Sequence, residues 1–393
     1  MQADVNEPDV AAETEIPSRR IDQLVTVGTV AEALEHWDRF VPFRPVEMSR
    51  AADRALVVNA SYPEPHLQAV HQAVAEVGPL GLYCVRDVIV SGHFYPTQGG
   101  VFLDDGSEPS NIGRSFARME RLDLQTLIHR QEQIVLDRPA LIIGGPGYPI
   151  WGHWLLDFLP RLAIAREVLG GGLDAFVIPM PGDIPDWIPQ MMQFFCGVPD
   201  GQIVRYDRQH QSVLCPQACL PTVAHNNYFL HSFLREFYGR FASAVPPDMP
   251  RRFCVSRKSF GQTRHSVVRV FREEAYFEEV AERFGYVPVY PETLSLQAQV
   301  DLFAHATSIA GQYGSGIHSA LFSPPGTLVG QFCMPNAIQS RIAGLCGHRM
   351  GYLIPDMDEN DAAGVRILSV NHAAIDRFFT ELASFEQRTG PVC

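Results

Sequence analysis

Strand-like and helix-like segments alternate between residues 252 and 332, and this alternation constrains the fold more than any other feature of the sequence. The strand-like segments are RFCVSR, YVPVY, TSIAGQ and TLVGQF. Gly285 ends a helical pattern whose apolar face consists of Phe277, Val280, Ala281 and Phe284. Ser295 is a candidate N-cap for a second helix, and IHSALF is predicted to form a short third one. Strands connected through helices in this way predict a parallel sheet covered by helices.

The first half of the chain repeats this order from about Pro139 onwards. It contains the strand-like segments ALIIGG, DAFVIPM and QIVRYD, the helical segment WIPQMMQFFCG, and a long helix predicted from Asn226 to Ala244. These segments predict a second doubly wound α/β unit. The earlier segments ALVVNA, LYCVRDVIVSG and GVFLDDG predict a small β-rich N-terminal extension.

The length of 393 residues favours two domains, because a single hydrophobic core rarely organises so long a chain. The proline-rich segment SAVPPDMP marks the predicted boundary. We therefore predict a disordered acidic leader over 1–20, domains over 21–245 and 251–365, and a C-terminal helix within 366–393. The leader has neither the basic start nor the apolar segment of a signal peptide.

Composition excludes several classes of protein. The net charge of −13 opposes general binding to nucleic acid, and no apolar run reaches the ~20 residues that a transmembrane helix requires. The eight cysteines form no CxxC pair, so we expect reduced thiols and a cytoplasmic location. Paired acids near Asp104 and Asp356 lie in turn-like segments, and we expect no metal site.

The segment YPIWGHWLLDFLPRL places titratable groups inside an apolar run. His153, Asp157 and Arg161 are four residues apart, so each lies only ~40° around a helix from the one before. Pro160 interrupts that helix. Either the helix kinks there, or it stops and Asp157 caps the next helix in a structural role. The residue types leave the two readings open.

The preceding GGPGYPIWG favours the functional reading, because this loop follows a predicted buried strand and ligands of α/β sheets bind at the carboxyl edge. A histidine oriented by a carboxylate is suited to removing a proton from a hydroxyl. His153 and Asp157 are therefore candidate catalytic residues.

The segment GQYGSGIHSALF is the second candidate. The backbone amides of Gly314, Ser315, Gly316 and Ile317 are predicted to face an anion at a helix N-terminus. The alternative is a tight strand-to-helix connection that needs glycine for its backbone angles. The segment matches neither GxGxxG, nor a Walker loop, nor GxSxG.

A basic segment supplies the countercharge for such an anion. Residues 251–272 contain six arginines, the chain's only lysine and no acid. Arg257 and Lys258 follow the first strand of the C-terminal unit, which places them at the same sheet edge as the glycines. The alternative is a solvated loop that pairs with Glu273 and Glu274.

Three blocks in order resemble glycosyltransferase family 61, over roughly residues 139 to 335. They are YPIWGHWLLDFLPRL, the region from CVSRKSFGQTRHS through LSLQAQVDLFAHA, and IAGQYGSGIHSALFSPPGTLV. The resemblance implies a GT-B-type pair of Rossmann-like domains, a nucleotide-sugar donor with a UDP-sugar favoured, and a glycan or other hydroxyl acceptor. It also implies transfer with inversion, usually without metal or other cofactor, in polysaccharide biosynthesis.

The resemblance also implies roles for individual residues. It places His153 and Asp157 on the acceptor side, within 21–245. It assigns the donor diphosphate to 251–365, with Arg257, Gly314, Ser315 and Gly316 as its ligands. Lys258 and His318 are further candidates for the diphosphate site. Tyr313, Arg161 and Arg269 are further candidate site residues.

Four positions depart from the family pattern. Tyr313 stands where the family has histidine, His318 and Ser319 replace a threonine–asparagine pair, and Arg272 replaces an asparagine. These changes leave open a noncatalytic protein that binds a sugar or nucleotide through a decayed site. A different Rossmann-based transferase or epimerase is a third alternative.

Overall fold

A computed structural model gives the fold of the chain. It describes residues 17–52, 55–59, 70–107, 132–145, 147–243, 249–258, 269–362 and 364–389. Most of the predicted leader, the middle of the predicted linker and the centre of the basic segment lie outside these residues. The predicted mixed α/β class is confirmed. Among the described residues, no helix combines the length and apolarity needed to cross a membrane.

The C-terminal half contains the predicted parallel sheet. Its six strands follow the spatial order Val287–Val289, Arg252–Val255, Ser308–Gln312, Leu328–Phe332, Arg349–Leu353 and Ala55–Val58. Every neighbouring pair is parallel. The crossovers contain helices at Glu274–Arg283, Leu296–Ala304 and Ala337–Cys346, and 3₁₀ segments at Pro291–Thr293 and Ser315–Phe322. Ser295 caps the second of these helices, because its side chain accepts the Ala298 amide at 3.2 Å.

Successive side chains of each strand enter two different cores. Phe253 and Val255 pack on one face of the sheet, whereas Cys254 packs on the other with Phe277 and Phe378. Burial on both faces explains why these strands are continuous apolar runs. The C-terminal helix His372–Thr389, which the sequence predicts, covers the second face.

The edge strand Ala55–Val58 corrects one expectation. The sequence predicts ALVVNA to be part of the N-terminal extension, but the strand pairs with Arg349–Leu353 in the C-terminal sheet. A short apolar strand carries no information about its partner, and the free edge of the parallel sheet provides one. The division of the chain into two domains stays a prediction.

The first half of the chain is built around a nine-stranded mixed sheet. Its strands are Ser18–Arg20, Val25–Thr26, Arg39–Arg44, Leu80–Ser91, Tyr95–Gln98, Val101–Asp104, Glu132–Val135, Ala140–Leu141 and Gln211–Pro221. The long central pair, Leu80–Ser91 and Gln211–Pro221, is antiparallel. Two smaller sheets pair Ile178–Pro181 with Ile203–Tyr206, and Glu47–Arg50 with Val74–Val77. In a third, the central strand Arg366–Ser369 pairs with Arg269–Phe271 on one side and with Met357–Asn360 on the other. A GT-B-type arrangement of two Rossmann-like domains therefore stays a prediction.

The first half also contains helices, of which Leu159–Leu169 packs on this sheet. They are Val30–His36, Trp151–His153, Leu159–Leu169, Trp187–Cys196 and Phe233–Tyr238, with a π turn at Trp154–Phe158 and 3₁₀ turns at Gly170–Ala175 and Asp200–Gln202. The helix predicted over WIPQMMQFFCG is confirmed, and Gly197 ends it with a left-handed φ of 67°.

The long helix predicted from Asn226 to Ala244 is wrong. The strands His225–Asn226 and Phe229–Leu230 form a hairpin, and only Phe233–Tyr238 is helical in this region. The two loop residues Asn227 and Tyr228 have φ of 46° and 60°, which a right-handed helix cannot contain. Positive φ at both positions of a two-residue loop is the geometry of a type I′ hairpin.

Candidate functional site

A π turn connects the helix Trp151–His153 to the helix Leu159–Leu169. The Leu159 amide donates to the carbonyl of Trp154, five residues back. The next carbonyl, that of Leu155, would need the amide of residue 160, but Pro160 has none. The Tyr238 hydroxyl donates to the Leu155 carbonyl instead, at 2.6 Å. The helix therefore continues through a widened turn, and the reading in which Asp157 caps a new helix is wrong.

The buried carboxylate of Asp157 joins two histidines. Its Oδ2 lies 2.5 Å from Nδ1 of His153, and its Oδ1 lies 2.7 Å from Nε2 of His225. Asp157 is only 2% exposed. Burial by itself raises the pKa of Asp157, but the hydrogen bonds from the two histidines outweigh burial and lower the pKa to about 2. Asp157 is therefore ionised at neutral pH.

The proton positions of His225 follow from its contacts. The Tyr228 backbone amide donates to Nδ1 of His225 at 3.2 Å, so this nitrogen carries the lone pair. A neutral His225 therefore holds its proton on Nε2, which donates to Asp157. By the same logic, a neutral His153 that donates from Nδ1 to the carboxylate has its basic lone pair on Nε2.

Arg161 lies next to this cluster without joining it. Its Nε donates to the carbonyl of Pro221 at 2.8 Å, and Nη1 lies 3.4 Å from the carbonyl of Gly144. Burial lowers the pKa of Arg161, while the charges of Asp105 and Asp157 oppose that shift. Arg161 thus ties the strand before the hairpin to the loop that precedes His153.

The glycine segment Gly314–Gly316 meets the His153 helix, although the two are more than 150 residues apart in sequence. A Cβ added at Gly152 would lie 2.7 Å from Nδ1 of His318 and 3.2 Å from Oγ of Ser315. The Trp151 indole donates to the Ser319 hydroxyl at 3.2 Å, on the same junction. The two candidate motifs therefore form one site, with Gly152 as the point of closest approach.

His318 is buried at this junction. Within the part of the chain that the structure describes, neither of its ring nitrogens has a hydrogen-bond partner. Burial, followed by the nearby charge of His153, lowers the pKa of His318 to about 4. His318 is therefore neutral at physiological pH and supplies no countercharge to a phosphate.

Two arginines converge on Gly314. A Cβ added there would lie 2.5 Å from Nη1 of Arg257 and 3.4 Å from Nη2 of Arg269. Burial, followed by the neighbouring charges of Arg257 and Arg366, lowers the pKa of Arg269 to about 10. The Arg269 guanidinium also lies 5.8 Å from the ring centre of Tyr313. Like charges held this close favour an anion between them.

The structure places the other predicted diphosphate ligands differently. The Lys258 ammonium forms an ion pair with Glu278, which raises the pKa of the lysine, and the Arg257 backbone amide donates to Glu274 at 2.9 Å. The Ile317 amide, expected to face an anion, donates instead to the Gly314 carbonyl at 3.0 Å.

Ser315 and Gly316 begin the 3₁₀ segment, and the first amides of a helix have no partner inside it. Among the described residues, no three histidine, cysteine or acidic side chains are grouped so as to hold a metal ion.

His225 is the site residue that sequence reasoning missed. Its only local signal is the turn-forming pair Asn226–Asn227 beside it, which predicts a hairpin and gives no indication of a partner 68 positions earlier.

Comparison with known proteins matches part of the chain to a family. Residues 151–330 match the family model described as Glycosyltransferase 61, and this range begins at the His153 helix and ends beyond the glycine segment. No curated protein matches the chain. The matched range contains both halves of the junction described above. Residues 151–330, a little under half of the chain, thus match glycosyltransferase family 61, and this match supports membership of that family and glycosyltransferase activity.

Proposed function

We propose that this protein transfers a sugar from a nucleoside-diphosphate sugar, with a UDP-sugar as the favoured donor, to a hydroxyl of a glycan or similar acceptor. The transfer inverts the anomeric carbon, and the product is part of a polysaccharide. One observation carries the proposal: the His153–Asp157 pair lies against the glycine segment on which Arg257 and Arg269 converge. A base for the acceptor and a cationic site for the leaving group thus meet at one junction.

The acceptor side of the reaction rests on His153. Its Nε2 removes the proton from the acceptor hydroxyl as the oxygen forms its bond to the anomeric carbon. Asp157, ionised and hydrogen-bonded to Nδ1, stabilises the imidazolium that results. The side chain of His153 is 27% exposed, so solvent-borne molecules reach the ring.

On the donor side, positively charged groups stabilise the leaving diphosphate. As the bond between the anomeric carbon and the phosphate oxygen breaks, its electron pair leaves with the diphosphate. Arg257, Arg269 and the first amides of the 3₁₀ segment are suited to stabilise that charge. Direct displacement by the acceptor oxygen from the opposite face inverts the anomeric centre.

The first experiment measures nucleotide binding by calorimetry with UDP, GDP and CMP, and compares three variants. Arg257→Ala is expected to weaken binding of the preferred diphosphate by roughly 10- to 100-fold, because a charge-assisted hydrogen bond contributes about 1.5–3 kcal/mol. Arg283→Ala, a matched control whose arginine pairs with Asp376 on the surface, is expected to bind as the wild type does. Lys258→Ala tests the sequence prediction that Lys258 binds the diphosphate. If the lysine is held by its ion pair with Glu278 instead, nucleotide affinity should change less than about threefold.

The second experiment measures turnover with the nucleotide sugar that binds. His153→Ala is expected to lower kcat by roughly 10²- to 10⁴-fold and to leave nucleotide affinity unchanged. Wild-type turnover in this variant would remove His153 as the base. Nucleotide binding without any product from a broad set of acceptors would favour the noncatalytic alternative.

A further inference from the structure

We propose that His225 is a positioning residue that determines which ring nitrogen of His153 is basic, by holding Asp157 as a carboxylate. The inference rests on the proposed function in one respect, namely that His153 acts as the base. It adds His225, a residue that lies outside the three sequence blocks.

The hairpin fixes His225 from one side. The left-handed backbone at Asn227 and Tyr228 turns the chain so that the Tyr228 amide points back at Nδ1 of His225. The Tyr228 ring stacks on the imidazole, with 4.6 Å between ring centres and 13° between planes. The hairpin contacts alone therefore determine the orientation and the tautomer of His225.

Asp157 contacts the opposite edge of the His225 ring, at Nε2. Each of its carboxylate oxygens has one imidazole partner: Oδ1 accepts from His225 and Oδ2 faces His153. The other groups whose charges interact with Asp157 are Arg161, His318 and Tyr238. Arg161 and His318 form no hydrogen bond with the carboxylate among the contacts described, so His225 is the donor that complements His153.

The protonation state of Asp157 determines the tautomer of His153. With Asp157 ionised, only a donor can face Oδ2, so the proton of neutral His153 sits on Nδ1 and its lone pair on Nε2. If Asp157 held a proton on Oδ2, it would donate to Nδ1, and the proton of His153 would move to Nε2. The nitrogen available to the acceptor hydroxyl would then no longer be basic. Removal of the His225 donor favours the protonated state of Asp157. Burial raises the pKa of this carboxyl, and one hydrogen bond then opposes that effect instead of two.

The test uses two variants and two measurements. His225→Phe keeps the aromatic volume and the stack on Tyr228 but has no N–H, whereas His225→Gln retains a side-chain N–H donor. Kinetics give kcat, KM and their pH profiles. Nuclear magnetic resonance of ¹⁵N-histidine-labelled full-length protein reports the tautomer of each ring without any need for turnover.

Wild-type spectra should show His225 protonated on Nε2 and His153 protonated on Nδ1. His225→Phe should lower kcat at least tenfold with KM changed less than threefold. The acid limb of its pH profile should move to higher pH, because Asp157 then ionises at higher pH. The resonances of His153 should shift toward the Nε2-protonated form. His225→Gln should recover a large part of the loss.

Several outcomes would overturn the proposal. One is a wild-type His225 that is protonated on Nδ1. Another is a folded His225→Phe with the wild-type acid limb and an unchanged His153 tautomer. Equal losses in the Phe and Gln variants with an unshifted pH profile would reduce His225 to a structural residue. Turnover that survives in His153→Ala would refute the assigned base instead, and the resonance measurement would still decide whether His225 sets the tautomer.

Discussion

The hydroxyl of Tyr238 substitutes for the amide that Pro160 lacks, and this makes Tyr238→Phe a sharp perturbation. The hydroxyl donates to the Leu155 carbonyl at 2.6 Å inside the π turn, and Tyr238 is 1% exposed. Phenylalanine fills the same volume, so the variant removes one hydrogen bond and creates no cavity. The Leu155 carbonyl is then buried without a partner.

An unsatisfied buried carbonyl costs about 1–3 kcal/mol of folding free energy. For a chain of this size we expect a fall in Tm of roughly 1–4 °C. The companion variant Pro160→Ala restores an amide at position 160, which can bond to the Leu155 carbonyl. In the Pro160→Ala background, Tyr238→Phe should therefore lower the folding free energy by less than in the wild type, with a difference of about 1 kcal/mol or more.

Activity should respond differently from stability. With an amide at position 160, the turn can return to the α-helical register, which rotates Asp157 by about 100° relative to the following helix. We expect Pro160→Ala to keep or raise Tm and to lower kcat. Calorimetric unfolding of the wild type, both single variants and the double variant gives the coupling, and steady-state kinetics on the same samples give kcat. An equal cost of Tyr238→Phe in both backgrounds would refute the reasoning.

Two further predictions concern glycines that face the site. Gly147→Ala would place a Cβ 2.7 Å from Cδ2 and 3.0 Å from Nε2 of His153, so kcat should fall at least tenfold. The control is Gly100→Ala, because Gly100 has a φ of 85°, close to the 90° of Gly147, but lies in open surroundings. This control should lose a similar amount of stability through backbone strain and keep the wild-type kcat. Gly314 has an extended backbone, and a Cβ added there meets the side-chain ends of Arg257 and Arg269. The Tm of Gly314→Ala should therefore stay within about 1 °C of the wild type, while calorimetry should show nucleotide affinity reduced by roughly tenfold. Unchanged affinity would place the anion elsewhere.

Regular local patterns were sufficient for much of the fold. The helix Glu274–Arg283 follows from its apolar spacing, and the helix Leu296–Ala304 follows from the cap at Ser295. The parallel order of the C-terminal strands follows from their alternation with helices. In each case the deciding interaction joins residues that are close in sequence, or repeats along one element, so a single sequence contains it.

Two sequence predictions are wrong, for different reasons. Ala55–Val58 was recognised as a strand but assigned to the wrong neighbours, because pairing is decided by which sheet edge is within reach. The hairpin at His225 was mistaken for helix, because apolar residues farther along obscured the turn signal of Asn226 and Asn227. The role of Lys258 at a phosphate stays a prediction, with which the ion pair to Glu278 on the next helix competes.

The candidate site divides in the same way. The sequence by itself determined that His153 and Asp157 meet, because four residues of helix bring their side chains to one side, and that glycines and Arg257 lie at one edge of a parallel sheet. Only the tertiary structure decided that His225 completes the carboxylate and that Gly152 packs against His318. It also decided that Asp157 stays ionised in a buried position. Helical spacing is a local property of the backbone, whereas burial, hydrogen-bond partners and hence protonation depend on which distant segments pack around a group.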